Sequence, residues 1–330
     1  MDTVRLGVVG LGWFGGVLAE SARSSGVADV VACYARTEET RVEFAEKHGC
    51  RAVGDLDEML ADPDIDGVLV ATPHSTHADI AVRTAEAGKH VFVEKPLTLT
   101  VADTERVAEA AGRTGVVVQV GHNRRRQPAN RRIKAMIDAG ELGTVLQLDG
   151  VHTAAGGHKP DLPAWRKDPA ECPFGGMTAL GVHTVDTFHY FMGPAKRVTA
   201  FSTKILGATD LDDATTVLVE YATGALGAIN TTYFAPQNVS LSVYGTDVAA
   251  WNEEDGKRLY TQARTDGART EHQVATLDTM TDEIAEFARC IREGITPETG
   301  LPEAIEVAAV LEGIGRSLET GRSVDVAELR

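Results

Sequence analysis

Cysteine is scarce: four thiols, Cys33, Cys50, Cys172 and Cys290, are spread over 330 residues with no CxxC pair. That distribution offers neither a disulfide framework nor a zinc knuckle, and it predicts free thiols in a reducing compartment. His152, His158 and His189 show no ligand spacing with one another, and Asp212 and Asp213 read as turn residues before a strand, so no metal is expected. Long apolar runs are also missing. None approaches the ~18 residues that a membrane span needs, and Met1-Asp2-Thr3-Val4-Arg5 leads into a strand without a signal-peptide core. The expected location is the cytoplasm. Positive charge is in deficit, 32 Lys and Arg against 48 Asp and Glu, for a formal net charge of −16. A surface of that sign argues against nucleic acid or an anionic membrane as the main partner. The one dense basic run, Arg124-Arg125-Arg126 with Arg131 and Arg132, reads as the solvated first turns of a helix. Internal repeats and low-complexity segments are absent.

What is present is a regular alternation. A hydrophobic content of 43% over this length is enough for two domains, each with its own core. Arg5 to Val9 reads as a buried strand and runs directly into Gly10-Leu11-Gly12-Trp13-Phe14-Gly15. These glycines match GxGxxG: one for a tight turn, one for close approach of backbone to a pyrophosphate, one for helix–strand packing. The following helix, about Phe14 to Ser24, would aim its N-terminal N–H groups at the phosphates. The second strand, Val30 to Tyr34, should end beside the adenosine ribose. An NAD-specific site normally carries an acid there, but this chain has Tyr34-Ala35-Arg36-Thr37 and no acid before Glu38. Arg36 is placed to pair with a 2′-phosphate or to lie on adenine, or it is simply an exposed arginine at a helix start. The expected cofactor is NADP or NAD, with NADP favoured.

Further strands are expected at 51–53, 67–73, 90–96 and 116–121, with helices near 56–60, 77–87 and 101–114. Apolar strands alternating with amphipathic helices mean a parallel sheet covered on both faces. After Gly121 the rhythm changes. One helix (about 129–139) leads to a strand at 145–151, a loop rich in Gly, Pro and charge at 154–176, and a helix at 181–191. Successive strands at 197–203, 214–221, 225–233 and 239–244 then suggest an antiparallel sheet. A helical tail over 281–321 and a short strand at 324–326 close the chain. The fold class is therefore α/β. A doubly wound parallel Rossmann sheet over residues 1–122 precedes a C-terminal α/β domain, 123–330, built on a large, mostly antiparallel open sheet. Such a sheet leaves a face for a partner subunit, so a homodimer or homotetramer is expected.

The strand His90-Val91-Phe92-Val93 ends on Glu94-Lys95-Pro96. Ligands of open parallel sheets bind outside the carboxyl ends of the strands, and Pro96 holds Lys95 extended at that point. Lys95 is then either placed to meet a bound cofactor or substrate, or half of a solvated surface pair.

GLGWFG, then ATPHSTH (Ala71 to His77), GKHVFVEKP (Gly88 to Pro96) and GGMTALGVHTVD (Gly175 to Asp186) occur in that order across the chain. Together they resemble the Gfo/Idh/MocA oxidoreductases. The resemblance implies a Rossmann domain joined to an open-sheet α/β domain, and NAD(P)-linked hydride transfer at a secondary alcohol or ketone of a sugar, cyclic polyol or related molecule. It implies that Lys95 lies beside the reacting alcohol and that His183 serves as acid/base. It places Gly10, Gly12, Trp13, Phe14, Gly15, Thr72, Pro73, His77, Glu94 and Lys95 on the cofactor side. On the substrate side it implies Lys95 and His183 with Thr178. Two further groups are candidate substrate contacts from position alone. His122, Asn123 and Arg124 follow the last Rossmann strand, and Trp165-Arg166 offers a stacking face and a fork for hydroxyls, or a core tryptophan. Histidine titrates near neutrality and suits proton transfer, while an ammonium stabilises a developing alkoxide. One departure stands out. Relatives often carry Asp four residues before this histidine, where this chain has Ala179; Thr178 and Asp186 are nearby but differently spaced. That leaves a second function class in view, a catalytically silent NAD(P)-binding regulator on the same fold.

Overall fold

The computed structural model describes residues 3–207 and 209–330. Its chain forms two units, one running to Asn123 and taking in Asp278–Ile305, the other comprising Arg124–Leu277 and Glu306–Arg330.

In the first unit, strands β1 (Val4–Val9), β2 (Ala28–Tyr34), β3 (Arg51–Ala52), β4 (Gly67–Val70), β5 (His90–Val93) and β6 (Val118–Val120) alternate with helices. These are α1 (Trp13–Ser25), α2 (Glu38–His48), α3 (Leu56–Ala61), α4 (His77–Glu86) and α5 (Val101–Thr114). The strands pair in parallel in the order β3-β2-β1-β4-β5-β6. The order reverses between β1 and β4, which is where a doubly wound sheet opens its ligand crevice. Both faces are covered. Leu6, Val8, Leu69 and Phe92 pack with α1 on one side, and Val9, Val68, Val70, Val91 and Val93 pack with Ala81 and Val107 on the other. Continuous burial along β4 and β5 explains why these strands are apolar without alternation. Asp55 and Thr100 cap α3 and α5 by accepting from Glu58 N–H and Asp103 N–H, so short polar residues set where those helices start.

The second unit contains α6 (Pro128–Asp138), β7 (Val145–Thr153), α7 (Val182–Met192), β8 (Ala195–Thr203), β9 (Ala214–Tyr221), β10 (Leu226–Thr232), β11 (Asn238–Gly245), β12 (Val248–Glu253), β13 (Arg258–Ala263) and β14 (Thr270–His272). The chain then supplies α8 (Thr279–Glu293) to the first unit, where Ile284, Phe287 and Ala288 join the cluster around Leu6 and Phe92. Helix α9 (Leu301–Thr320) and β15 (Val324–Asp325) follow. The second sheet has nine strands in the order β14-β13-β12-β11-β7-β10-β9-β8-β15. Only the β7–β10 pair is parallel; the others are antiparallel. Burial alternates strictly along β9, with Val217, Val219 and Tyr221 turned in and Thr216 and Leu218 turned out. The inward face packs on α7, whose Phe188 is fully buried.

Three features depart from expectation. Strands β12, β13 and β14 carry too many polar residues to read as strands, yet they extend the sheet as a meander. The helical tail is two helices, because Gly294 and Pro297 break it. The basic run after β6 is solvated only in part: Arg131 and Arg132 are exposed on α6, but Arg125 and Arg126 are each 3% exposed. Arg125 lies bidentate on Asp186 of α7 (Nε to Oδ2 2.8 Å, Nη2 to Oδ1 2.7 Å), with its guanidinium over the Tyr190 ring. A charge run looks solvated until its partner, sixty residues away, is placed beside it.

Candidate functional site

At the carboxyl end of β1, Gly10 has φ +93°, and a Cβ there would lie 2.5 Å from the Ala71 carbonyl at the end of β4. A Cβ on Gly15 would lie 2.1 Å from the Gly10 carbonyl. The turn thus draws β1, β4 and α1 closer than any side chain permits. Gly12, the N-cap of α1, faces open space, and the first turn of α1 carries no acid. Free N–H groups, a positive helix end and clearance for backbone approach fit a pyrophosphate. Trp13, 81% exposed, and Phe14, set edge-on to it at 5.4 Å, stand at that helix end.

Arg36 is exposed past the end of β2. Its segment is held from behind by Arg41, whose Nη1 donates to the Ala35 and Arg36 carbonyls at 2.9 and 3.3 Å. Thr72 and Pro73 follow β4, and the Thr76 hydroxyl lies 2.7 Å from that of Thr72. His77 is fully buried. Its Nδ1 lies 2.9 Å from the Pro96 carbonyl and its Nε2 2.9 Å from the Thr72 carbonyl. Carbonyls only accept, so a neutral ring donates to one of them and an imidazolium to both. His77 is therefore a strut tying the β4 and β5 ends together. Lys95 is half-buried beyond β5, its backbone N–H 3.3 Å from Glu94 Oε2, with a cis bond to Pro96. Glu94 is 8% exposed and so belongs to the support of this strand end. His122 is buried after β6, and the Asn123 amide donates to Thr279 Oγ1 at 2.8 Å, which fixes the end of β6 to α8.

In the second unit His183 is the second residue of α7. The five residues before it, Met177–Gly181, form a π-helical turn, so Ala179 is not one regular α-turn behind His183. His183 stacks on the buried His152 of β7 with ring centroids 6.1 Å apart and planes 29° apart. The two imidazoles share a recess with Arg124, Gln127, Asn130 and Asn252. Arg124 pairs with Asp255 through both guanidinium Nη groups, and Gln127 Nε2 donates to Asp255 Oδ1 at 2.8 Å. Burial pushes the Asp255 carboxyl up, but the Arg124 charge, hydrogen bonds from Arg124 and Gln127, and nearby His152 outweigh it and hold the carboxyl below its usual range. Asn252, 3% exposed, donates to Asn130 Oδ1 at 2.7 Å. The recess sets the Arg124 guanidinium beside two imidazoles and amides that both donate and accept, groups that can meet hydroxyls.

Thr178 is fully buried and its hydroxyl donates to the Pro173 carbonyl, bracing the loop before the π turn. Trp165 and Arg166 form their own cation–π pair at 4.4 Å in a short 3-10 turn. Histidine spacing along the chain gave no hint of His152. Its signal was alternation: along β7, Leu148, Gly150 and His152 are the inward residues, and an inward histidine on a strand is a polar group aimed at a helix.

The family model described as "Oxidoreductase family, NAD-binding Rossmann fold" matches residues 4–122, and the GFO/IDH/MocA C-terminal domain matches residues 130–250. The chain is 30% identical to the scyllo-inositol 2-dehydrogenase (NAD(+)) of Bacillus subtilis, over 89% of this chain and 88% of that protein. It is 29% identical to the myo-inositol 2-dehydrogenase of Thermotoga maritima, over 99% of each. Among solved structures, an oxidoreductase of Desulfitobacterium hafniense superimposes with a TM-score of 0.93 at 27% identity, over 100% of this chain and 99% of that one.

Proposed function

Because the chain belongs to the Gfo/Idh/MocA oxidoreductase family, we propose that it transfers a hydride between NADP or NAD and a secondary alcohol or ketone of a cyclic polyol or sugar. The single observation that carries the substrate class is the recess around His183, lined by Arg124, His152 and the amides of Gln127, Asn130 and Asn252.

The glycine turn and the start of α1 hold the pyrophosphate, and Arg36 meets the adenosine end. The bound nicotinamide supplies the hydride acceptor or donor. His183 takes the proton from the alcohol oxygen as the C–H bond breaks, and returns it in the reverse direction. Lys95 donates a hydrogen bond to the same oxygen and stabilises the charge that builds there. Glu94 and His77 set the strand end on which Lys95 stands. Arg124, Gln127 and His152 orient the remaining hydroxyls, with Arg166 and Trp165 contributing from their loop. The protein works in the cytoplasm as a homodimer or homotetramer. Supporting the latter, Phe201, Leu218 and Leu226 stand 69%, 52% and 58% exposed on β8, β9 and β10, a cluster typical of subunit contacts.

The test is a panel of cyclic polyols and sugars offered with each nicotinamide cofactor and read by reduced-nicotinamide absorbance. Turnover of an inositol or sugar is the expected result. Tight cofactor binding with no turnover across the panel would favour the silent regulator instead.

A further inference from the structure

We propose that Cys33 and Cys50 form a modification site, a dithiol that a hydroperoxide oxidises to an intramolecular disulfide at the strand end bearing Arg36. Cys33 is the buried penultimate residue of β2, and Cys50, half-buried, directly precedes β3. The parallel register sets Ala32 opposite Arg51 and Cys33 opposite Ala52. Side chains alternate along a strand, so Cys50, two residues before Ala52, emerges on the same face as Cys33, one step along the diagonal. Both residues pack in the same apolar cluster with Leu18, Val30 and Phe44. The two thiols lie near enough for each to perturb the other, and Cys33 Sγ donates to the Arg41 carbonyl at 3.6 Å.

The pair is polarised. The neighbouring Cys50, then burial, pushes the Cys33 thiol up. The neighbouring Cys33 holds Cys50 below the ordinary thiol range, with burial opposing it. Cys50, the more exposed of the two, is therefore the thiolate that meets an oxidant. Its sulfur attacks one peroxide oxygen, forming S–O and breaking O–O, and the leaving hydroxide takes up a proton to become water. Cys33 sulfur then attacks the Cys50 sulfenic acid, forming S–S and breaking S–O, and its thiol proton leaves with the hydroxide as a second water. Two electrons pass from the thiols to the peroxide.

A disulfide needs its sulfurs about 2.05 Å apart, so Cys33 must turn away from the Arg41 carbonyl. Arg41 in turn holds the Ala35 and Arg36 carbonyls. Oxidation therefore shifts the segment that meets the adenosine end of the cofactor, a consequence that rests on the cofactor reading above, whereas the dithiol chemistry does not.

The experiment treats the reduced full-length protein with equimolar hydrogen peroxide. Expected are the loss of two of the four thiols, a mass lower by two hydrogens, a Cys33–Cys50 cross-linked peptide, and reversal by dithiothreitol. Cys33→Ser should stop at a sulfenic acid on Cys50 that dimedone traps, and Cys50→Ser should not react. No thiol loss, equal oxidation of Cys50→Ser, or a cross-link through Cys172 or Cys290 overturns the site. NADPH titration of the oxidised protein should show affinity at least about fivefold weaker than the reduced form. Equal affinity, with the cross-link present, overturns the coupling to cofactor recognition.

Discussion

Lys95 stands half-buried just past the end of β5, where a parallel sheet meets its ligand. Lys95→Met is expected to keep cofactor affinity and melting temperature but to lower kcat by at least about a hundredfold; turnover within a few-fold of wild type would return Lys95 to the solvated surface. For Arg36→Ala, NADP(H) binding should weaken by roughly 1–3 kcal/mol while NAD(H) binding barely changes. Equal losses for both would mean that Arg36 stacks on adenine. His183 poses a different question, since Ala179 offers it no carboxylate. Alcohol oxidation should show an acidic limb in its pH–rate profile where the catalytic base takes up a proton. His183→Ala should remove that limb with most of the rate. Of these residues, Lys95 and the glycines were legible in the sequence because their neighbours in the chain define them. His152, Asp255 and Asn252 were not, because they come from two segments about a hundred residues apart, β7 and the end of β12, and only the sheet register gathers them.

At the scale of elements, α7 is held by one buried ion pair. Arg125 and Asp186 are both almost wholly enclosed, at 4% and 1% side-chain exposure. Asp186→Ala breaks this bidentate pair in the interior and should cost about 3–5 kcal/mol in denaturant unfolding. A cost below about 1 kcal/mol would show that water reaches Arg125. Because this pair fixes the helix that carries His183, a mild variant such as Asp186→Asn should raise KM and lower kcat together. Sequence periodicity located α7 to within a residue, yet the π turn before it lay beyond reach. Met177 to Gly181 has no composition that separates a π turn from an α turn; close packing decides it. Gly181 lies against Met177 and Thr231, with no room for a Cβ. The meander of β12 to β14 escaped for a related reason, since its polar residues become strands by adding to an edge that already exists.

For the whole molecule, burial of histidine sets the acid limit of stability. Burial, above all, holds His90 and His189 below the ordinary histidine value, with Asp66 opposing it at His90 and the Arg125 charge adding to it at His189. The unfolded chain takes up these protons as pH falls through about 6.5, whereas the folded chain resists until lower pH. Stability is thus full above about pH 6.5 and declines below it. Melting temperatures should fall between pH 6.5 and 5, and His189→Gln should flatten that slope; an unchanged slope would exonerate His189. The arrangement of the two units carries a consequence for synthesis. The sheet of β1 to β6 is complete by residue 120, but α8, which covers Leu6 and Phe92 with Ile284 and Phe287, is translated only after Arg124–Leu277 of the second unit. An emerging chain therefore holds an unroofed apolar face while some 150 further residues leave the ribosome at about 5–20 per second. Chaperone dependence should concentrate in that interval. Ribosome-bound chains stalled just after Leu277 should bind a holdase, and chains stalled far enough past residue 305 for α8 to clear the exit tunnel should release it.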